Sequence, residues 1–380
     1  MKSKSLQCTS LNSLKMSLRQ TIHQEFRPTL AIVFTSLKYD LKELNKLFVE
    51  NGIDLLGCTT AGEIVDNQLV EDSIAVLLMD MPRDHYSIQL KEYGSDEVYK
   101  RSREVGSFAK NKFGKPGMVV LSGGIKVDAD QIISGIKSGI GTEIPLYGGL
   151  AADDLAMTQT TVFSNNFISD NGLAALIIDT GKIEMQGLAA SGWEALGGVK
   201  TITKSAGNIV YAINGEPALD VFLKHFGFDE NPGTKREQLM SIQTNYPLQI
   251  MREDGEAVLR SPLMIDDKNR SLILAGGVRQ GAKFRFSNSP GFEVLQQTIN
   301  EFQHLKNGFA EADALLMFSC VGRHGAFGPV LEEEVEGLYN YWKKPMIGFL
   351  SYGEIGNTKN GTCEFHNETC SLMLFKEKNK

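Results

Sequence analysis

The sequence predicts an α/β protein of two domains, with mixed sheets built from repeated β-α-β units and layered with helices. Three observations predict it. The chain is 380 residues long, which suits two domains of about 100–200 residues each. Hydrophobic residues make up 42% and charged residues 22%, enough apolar content for real cores. One pattern occurs three times: an apolar strand, a serine with a small or turn residue near it, an amphipathic helix, a second apolar strand and a Gly-rich turn.

The first copy opens with Leu30-Ala-Ile-Val-Phe-Thr-Ser36, continues through a helix with Leu41, Leu44, Leu47 and Phe48 on one face, and closes with Ile53-Asp-Leu-Leu-Gly-Cys-Thr-Thr-Ala-Gly-Glu-Ile64. The second opens with Met118-Val-Val-Leu-Ser122, carries Ala129, Ile132, Ile133, Ile136 and Ile140 on its helix, and closes with Ile144-Pro-Leu-Tyr-Gly-Gly-Leu-Ala-Ala-Asp-Asp154. The third opens with Ala314-Leu-Leu-Met-Phe-Ser-Cys320, carries Leu331, Val335, Leu338, Tyr339 and Trp342, and closes with Met346-Ile-Gly-Phe-Leu-Ser-Tyr-Gly-Glu-Ile355. Apolar residues three and four apart give each helix one buried face. Flanking β-rich runs favour parallel pairing through a right-handed crossover. Between the units, Asp72–Met79, Gly172–Ile178, Ile183–Ala190 and Ser271–Ala275 read as strands. Gly361–Phe375 reads as one strand, so Cys363, His366 and Cys370 do not line up as zinc ligands. No element is assigned to the polar, charge-mixed segment Met1–Gln20. The domain boundary is placed at Asn214-Gly-Glu-Pro217, dividing the chain into 29–216 and 217–376.

The net charge of −7 argues against a general nucleic-acid or anionic-membrane binder. No signal-type apolar region opens the sequence, and no window reaches the roughly 18–20 apolar residues of a membrane span. The expectation is a cytoplasmic protein. Five scattered cysteines do not form a disulfide framework.

The turns Gly57-Cys-Thr-Thr-Ala-Gly-Glu-Ile64 and Gly148-Gly-Leu-Ala-Ala-Asp-Asp154 resemble the N-terminal domain of the FIST family, the "F-box and intracellular signal transduction" sensory domains. Ala152 stands where that motif often has glycine. Pro217-Ala-Leu-Asp-Val, Arg260-Ser-Pro-Leu, Phe318-Ser-Cys-Val-Gly-Arg323, Gly348–Gly356 and Phe365-His-Asn-Glu-Thr369 resemble its C-terminal domain. The resemblance spans residues 29–376 and implies a sensor, not an enzyme. Some members are thought to bind amino acids or other small molecules. Some bacterial stand-alone members bind haem, sense nitric oxide and regulate a partner histidine kinase.

Ligands of α/β sheets sit outside the carboxyl ends of parallel strands, so the strand-end turns are expected to cluster. The expected ligand-binding residues are Cys58, Thr59, Thr60, Gly62, Glu63, Gly149, Asp153, Asp154, Ser319, Cys320, Arg323, Ser351, Tyr352, Gly353 and Glu354. Glycine turns expose amides to an anion, the hydroxyls add donors, Arg323 suits a carboxylate, and the four acidic side chains suit an ammonium group. This mixture fits a zwitterion such as an amino acid. The alternative is that the carboxylates cap turns and Arg323 pairs with one of them. Were haem b the ligand, His366 and His225 are the axial candidates; the sequence holds no Cys-x-x-Cys-His for covalent attachment. Two rival readings remain: an enzyme using a Cys58/His324 pair, and a ligand-free interaction scaffold. P-loop, dinucleotide and nucleophile-elbow motifs do not occur in the expected contexts.

Overall fold

The computed structural model describes residues 1–94, 97–125, 127–165, 167–227, 245–252, 257–288 and 291–378. Each predicted β-α-β unit forms a parallel pair. Leu30–Thr35 lies beside Asp54–Thr59, Pro116–Ser122 beside Leu146–Leu150, and Ala314–Cys320 beside Met346–Ser351. Leu30–Thr35, Pro116–Ser122 and Met346–Ser351 are buried along their whole length. Continuous apolar runs of this kind mark sheets covered on both faces.

Three six-stranded sheets follow one plan. Strand order in the first is Ser3–Cys8, Ile74–Met79, Leu30–Thr35, Asp54–Thr59, Val162–Ser164, Phe167–Ser169. In the second it is Tyr86–Glu92, Gly172–Asp179, Pro116–Ser122, Leu146–Leu150, Glu354–Asn357, Cys363–His366. In the third it is Ile183–Ala190, Cys370–Glu377, Ala314–Cys320, Met346–Ser351, Glu63–Val65, Gln68–Val70. In every sheet the last two strands are a hairpin lent by another unit. The hairpin after the first unit completes the third sheet, that after the second completes the first, and that after the third completes the second. The body is therefore an internal trimer with cyclically exchanged hairpins.

The inner faces of the sheets share one core, with Phe34, Phe318 and Phe349 packed ring to ring at 4.6–6.1 Å between centroids. Each outer face carries a helix pair: Leu11–Thr21 with Leu41–Glu50, Val98–Lys112 with Ala129–Ile140, and Glu293–Gly308 with Leu331–Trp342. Asp40 and Asp128 start the second helix of the first two pairs by accepting first-turn amides.

One sequence expectation needs correction, and one segment left without an element has two. Gly361–Phe375 is two strands, not one; Cys363–His366 and Cys370–Glu377 belong to different sheets, with a turn at 367–369 between them. Met1–Gln20 contains a strand, Ser3–Cys8, and most of the helix Leu11–Thr21, whose Leu14 and Leu18 are buried. An edge strand with one half-exposed face lacks the apolar run that marks the inner strands.

Between Ile183–Ala190, the edge strand of the third sheet, and the helix Glu293–Gly308, strands running from Glu194 to Asn288 build a fourth, eight-stranded sheet, the insert, with its own core around Phe222, Phe284 and Phe286. The turn at Asn214–Pro217 lies within this sheet, because Ile209–Ile213 pairs with Glu216–Pro217. Arg260 ties the insert to the body. Wholly buried, it donates to the Phe365 carbonyl at 2.9 Å, reaches Asp130 at 3.2 Å and stacks on the Phe365 ring.

The glycine shared by the three units has one structural reason. A Cβ at Gly57, Gly148 or Gly348 would lie 2.4, 1.8 or 2.2 Å from the carbonyl oxygen of Val33, Val120 or Met317, its register partner on the parallel strand. Gly148→Ala is expected to lose at least about 3 kcal/mol in urea unfolding. Gly198→Ala, where an added Cβ meets nothing within 4 Å, should be near neutral.

Candidate functional site

The second parallel strand of each unit ends in a Gly-rich turn, and the three turns meet. Ala152 and Asp154 donate their amides to the Thr59 and Thr60 carbonyls at 2.9 and 3.1 Å. Tyr352 donates to Leu150 at 3.2 Å, and Leu150 to Gly353 at 2.8 Å. Ala61 donates to Leu350 at 3.2 Å, and Leu350 to Gly62 at 2.8 Å. The turns thus close a ring of main-chain hydrogen bonds, unit one to two, two to three, three to one. These amides, expected to cradle an anion, serve one another.

The side chains of the ring are engaged as well. The Thr60 hydroxyl donates to Glu63, and the Ser73 amide and hydroxyl donate to its other oxygen at 2.9 and 2.8 Å. In the third unit Ser351 donates to Glu354 in the same way. Burial pushes the Glu63 carboxyl up to about 7. Asp153 accepts from the amides of Met157, Thr158 and Gln159 and from Tyr352. Burial opposes its charge, but these donors outweigh burial and hold it below the usual carboxylate range. Asp154 alone among the four acids is exposed, and it accepts from Ser36 at 2.9 Å. Cys58, Thr59, Thr60, Ser319, Ser351 and Glu354 are all sealed.

Arg323 is not poised for a ligand carboxylate. Fully buried on Val321–Phe327, it pairs with Glu334, donates to the Ser191 and Glu368 carbonyls at 2.8 and 3.1 Å, and lies over the Trp193 ring. Burial, and then the Glu63 carboxylate, push the Cys58 thiol far up; Cys320 is raised by burial and by Glu354 and Glu368. A thiol nucleophile needs the opposite shift. His324 lies half-buried on the Val321–Phe327 helix.

Behind the third turn, Glu354 and Glu368 are buried carboxyls, each with one oxygen lacking a partner among the described residues. Burial raises both, Glu368 to about 7 against the Ser261 hydroxyl and Arg323, and Glu354 further because Glu368 is also near. The Ser261–Glu368 hydrogen bond, 2.8 Å, joins the inserted sheet to the body.

Beside this pair, at the seam between insert and body, is a cavity of about 230 Å³. Ala189, Ala190, Ser191, Thr358, His366 and Thr369 form its body side, Ala257 and Leu259 its insert side, and the Lys359–Glu301 ion pair, 3.1 Å, sits on it. His366 is buried, with Nε2 3.2 Å from the Gly356 carbonyl; burial lowers it to about 3, and Arg260 and Arg252 push the same way. The sequence drew attention to His366 and Thr369, which share the Phe365–Thr369 motif, but not to Ser191, Glu301, Thr358 or Lys359, which no motif links to it.

Neither histidine fits haem. The cavity at His366 is small, polar and edged by an ion pair, below the roughly 300–1,000 Å³ of pockets for larger ligands. His225 stacks on Phe286 at 4.4 Å with its Nε2 enclosed and unpartnered among the described residues, closed to an iron. No cluster of three or more His, Cys, Asp or Glu suited to a metal occurs among the described residues. No helix among them is long and apolar enough to cross a membrane.

Two outcomes follow from the buried charges. Arg323→Ala strands Glu334 and should cost about 3–5 kcal/mol in urea unfolding. Glu368 keeps its proton to about pH 7 when folded, whereas its ordinary value is 4.5. The folded state therefore binds more protons between these values, and this group's contribution to stability falls as pH rises from about 4.5 to 7. Glu368→Gln should gain on the wild type by about 3 kcal/mol between pH 4.5 and 8, read from urea midpoints at each pH.

Comparison with known proteins agrees with the architecture. The FIST N domain model matches residues 29–216 and the FIST C domain model residues 218–357. An uncharacterised protein of Methanocaldococcus jannaschii is 24% identical over 363 aligned residues, covering 83% of this chain; the chain spans 66% of that relative's length. With both models matched in order along most of its length, the chain belongs to the FIST family.

Proposed function

We propose that the chain is a sensory protein that takes a small polar ligand into the cavity between body and insert and reports occupancy to a separate signalling protein. FIST domains are associated with signal transduction and small-ligand sensing. The observation that carries the reading is the position of the cavity, with one wall from each module and His366 on the body's wall. A ligand held there contacts both modules and biases how they pack, which is the differential contact a sensor needs. The opposed charges of Lys359 and Glu301 match a carboxylate and an ammonium, and Ala189, Ala190, Ala257 and Leu259 accept a short apolar side chain. An amino-acid-like molecule is therefore the favoured ligand class. A binding role rather than a catalytic one is supported by the sealed, raised thiols at Cys58 and Cys320. The partner class suggested by the family resemblance is a histidine kinase.

Thermal unfolding against the standard amino acids tests this reading. At a hundredfold excess over Kd, a true ligand stabilises by about 2.7 kcal/mol. Ala257→Trp, at the exposed edge of the cavity, should abolish the response without lowering the melting temperature of the free protein. A Soret band on expression with excess haem, or a response unchanged in Ala257→Trp, overturns the assignment.

A further inference from the structure

Resting on that reading of the cavity, we propose that His366 selects the ligand: it offers Nδ1 as a hydrogen-bond acceptor at the cavity floor, so the molecule taken there presents an uncharged N–H or O–H donor, as in a primary amide or a hydroxyl.

The tautomer follows from the partner. Nε2 lies 3.2 Å from the Gly356 carbonyl, which only accepts. The proton is therefore on Nε2, and in a neutral ring the other nitrogen carries a lone pair. Nδ1 has no protein donor among the described residues and is not among their sealed, unpartnered atoms, while the ring lines the cavity. The side chain is 5% exposed, so its orientation is fixed by packing.

The neighbours reinforce acceptance. The Thr369 hydroxyl spends its proton on the Asn367 carbonyl at 2.8 Å, leaving its lone pairs. Arg260 and Arg252 place positive charge near the His366 ring, which disfavours an ammonium on the floor and directs it to Glu301. A floor of acceptors under positive potential calls for a neutral donor. Sites built to hydrogen-bond a ligand discriminate sharply against analogues lacking the group, because the buried acceptor is then left unpaired.

The test uses the full chain labelled with ¹⁵N-histidine, with acetamide and N,N-dimethylacetamide as probes. The signal of His366 is identified by its loss in His366→Gln. Acetamide should shift the Nδ1 resonance, and N,N-dimethylacetamide, which has no N–H, should leave it in place. His366→Phe should weaken acetamide binding roughly 10–100-fold. His366→Gln, which keeps an acceptor, should recover part of it, a pattern that loss of folding would not give. Equal shifts from both probes, or acetamide binding unchanged in His366→Phe, overturn the proposal. If an amino acid stabilises the wild type but not Ala257→Trp while acetamide leaves His366 untouched, this inference fails and the cavity reading stands. If no molecule acts on the cavity at all, both fall.

Discussion

The molecule depends on the exchange of hairpins around its pseudo-threefold axis. No unit completes its own sheet. The second parallel strand of each unit would be an open edge without a hairpin from a neighbour, and such an edge is a template for unwanted pairing. The exchange draws the three Gly-rich turns to one end, where their amides and carbonyls bond in a ring, and it brings the inner faces together on Phe34, Phe318 and Phe349. The recurrent glycine, the buried acidic turns and the outer helix pairs all sit within this frame.

Much of this frame is local in sequence and therefore legible. The three parallel pairs, their helices and the recurrence of Gly-Glu-Ile come from periodicity and turn chemistry within about forty residues. The exchange is not legible, because the lent hairpins include strands of three residues whose partners lie in another third of the chain. Residue type foretold which turns would meet, but not how deep they would lie. Glu63 and Glu354 look like ligand groups until their hydroxyl partners and their burial are seen, and Arg323 looks like a carboxylate clamp until Glu334 is found against it. The alternative raised from sequence, in which the carboxylates cap turns and Arg323 pairs with one of them, describes Asp153 but not Arg323, whose partner Glu334 is none of those four acids.

The third unit differs from the other two through the insert. Arg260, the last residue of the strand Ala257–Arg260, and Ser261, which follows it, reach Phe365 and Glu368 on the body, so the seam is fixed at two neighbouring points and hollow beside them. The hollow draws its walls from residues scattered between Ala189 and Thr369, and of these only His366 and Thr369 fall within one motif, so the sequence does not announce it as a whole. Its chemistry is set by the seam: burial keeps the His366 imidazole uncharged, and the arginine that anchors the insert pushes the same way.

The exchanged hairpins also govern the order of biosynthesis. The hairpin at 63–70 leaves the ribosome early, yet the strand that receives it, Met346–Ser351, is among the last to be made. Its edges must stay unpaired through most of translation. Contacts of such long sequence separation fold slowly and leave sticky intermediates exposed. Neither of its family-defined halves contains every strand that its own sheets require, so neither half can close its sheets before the other is made.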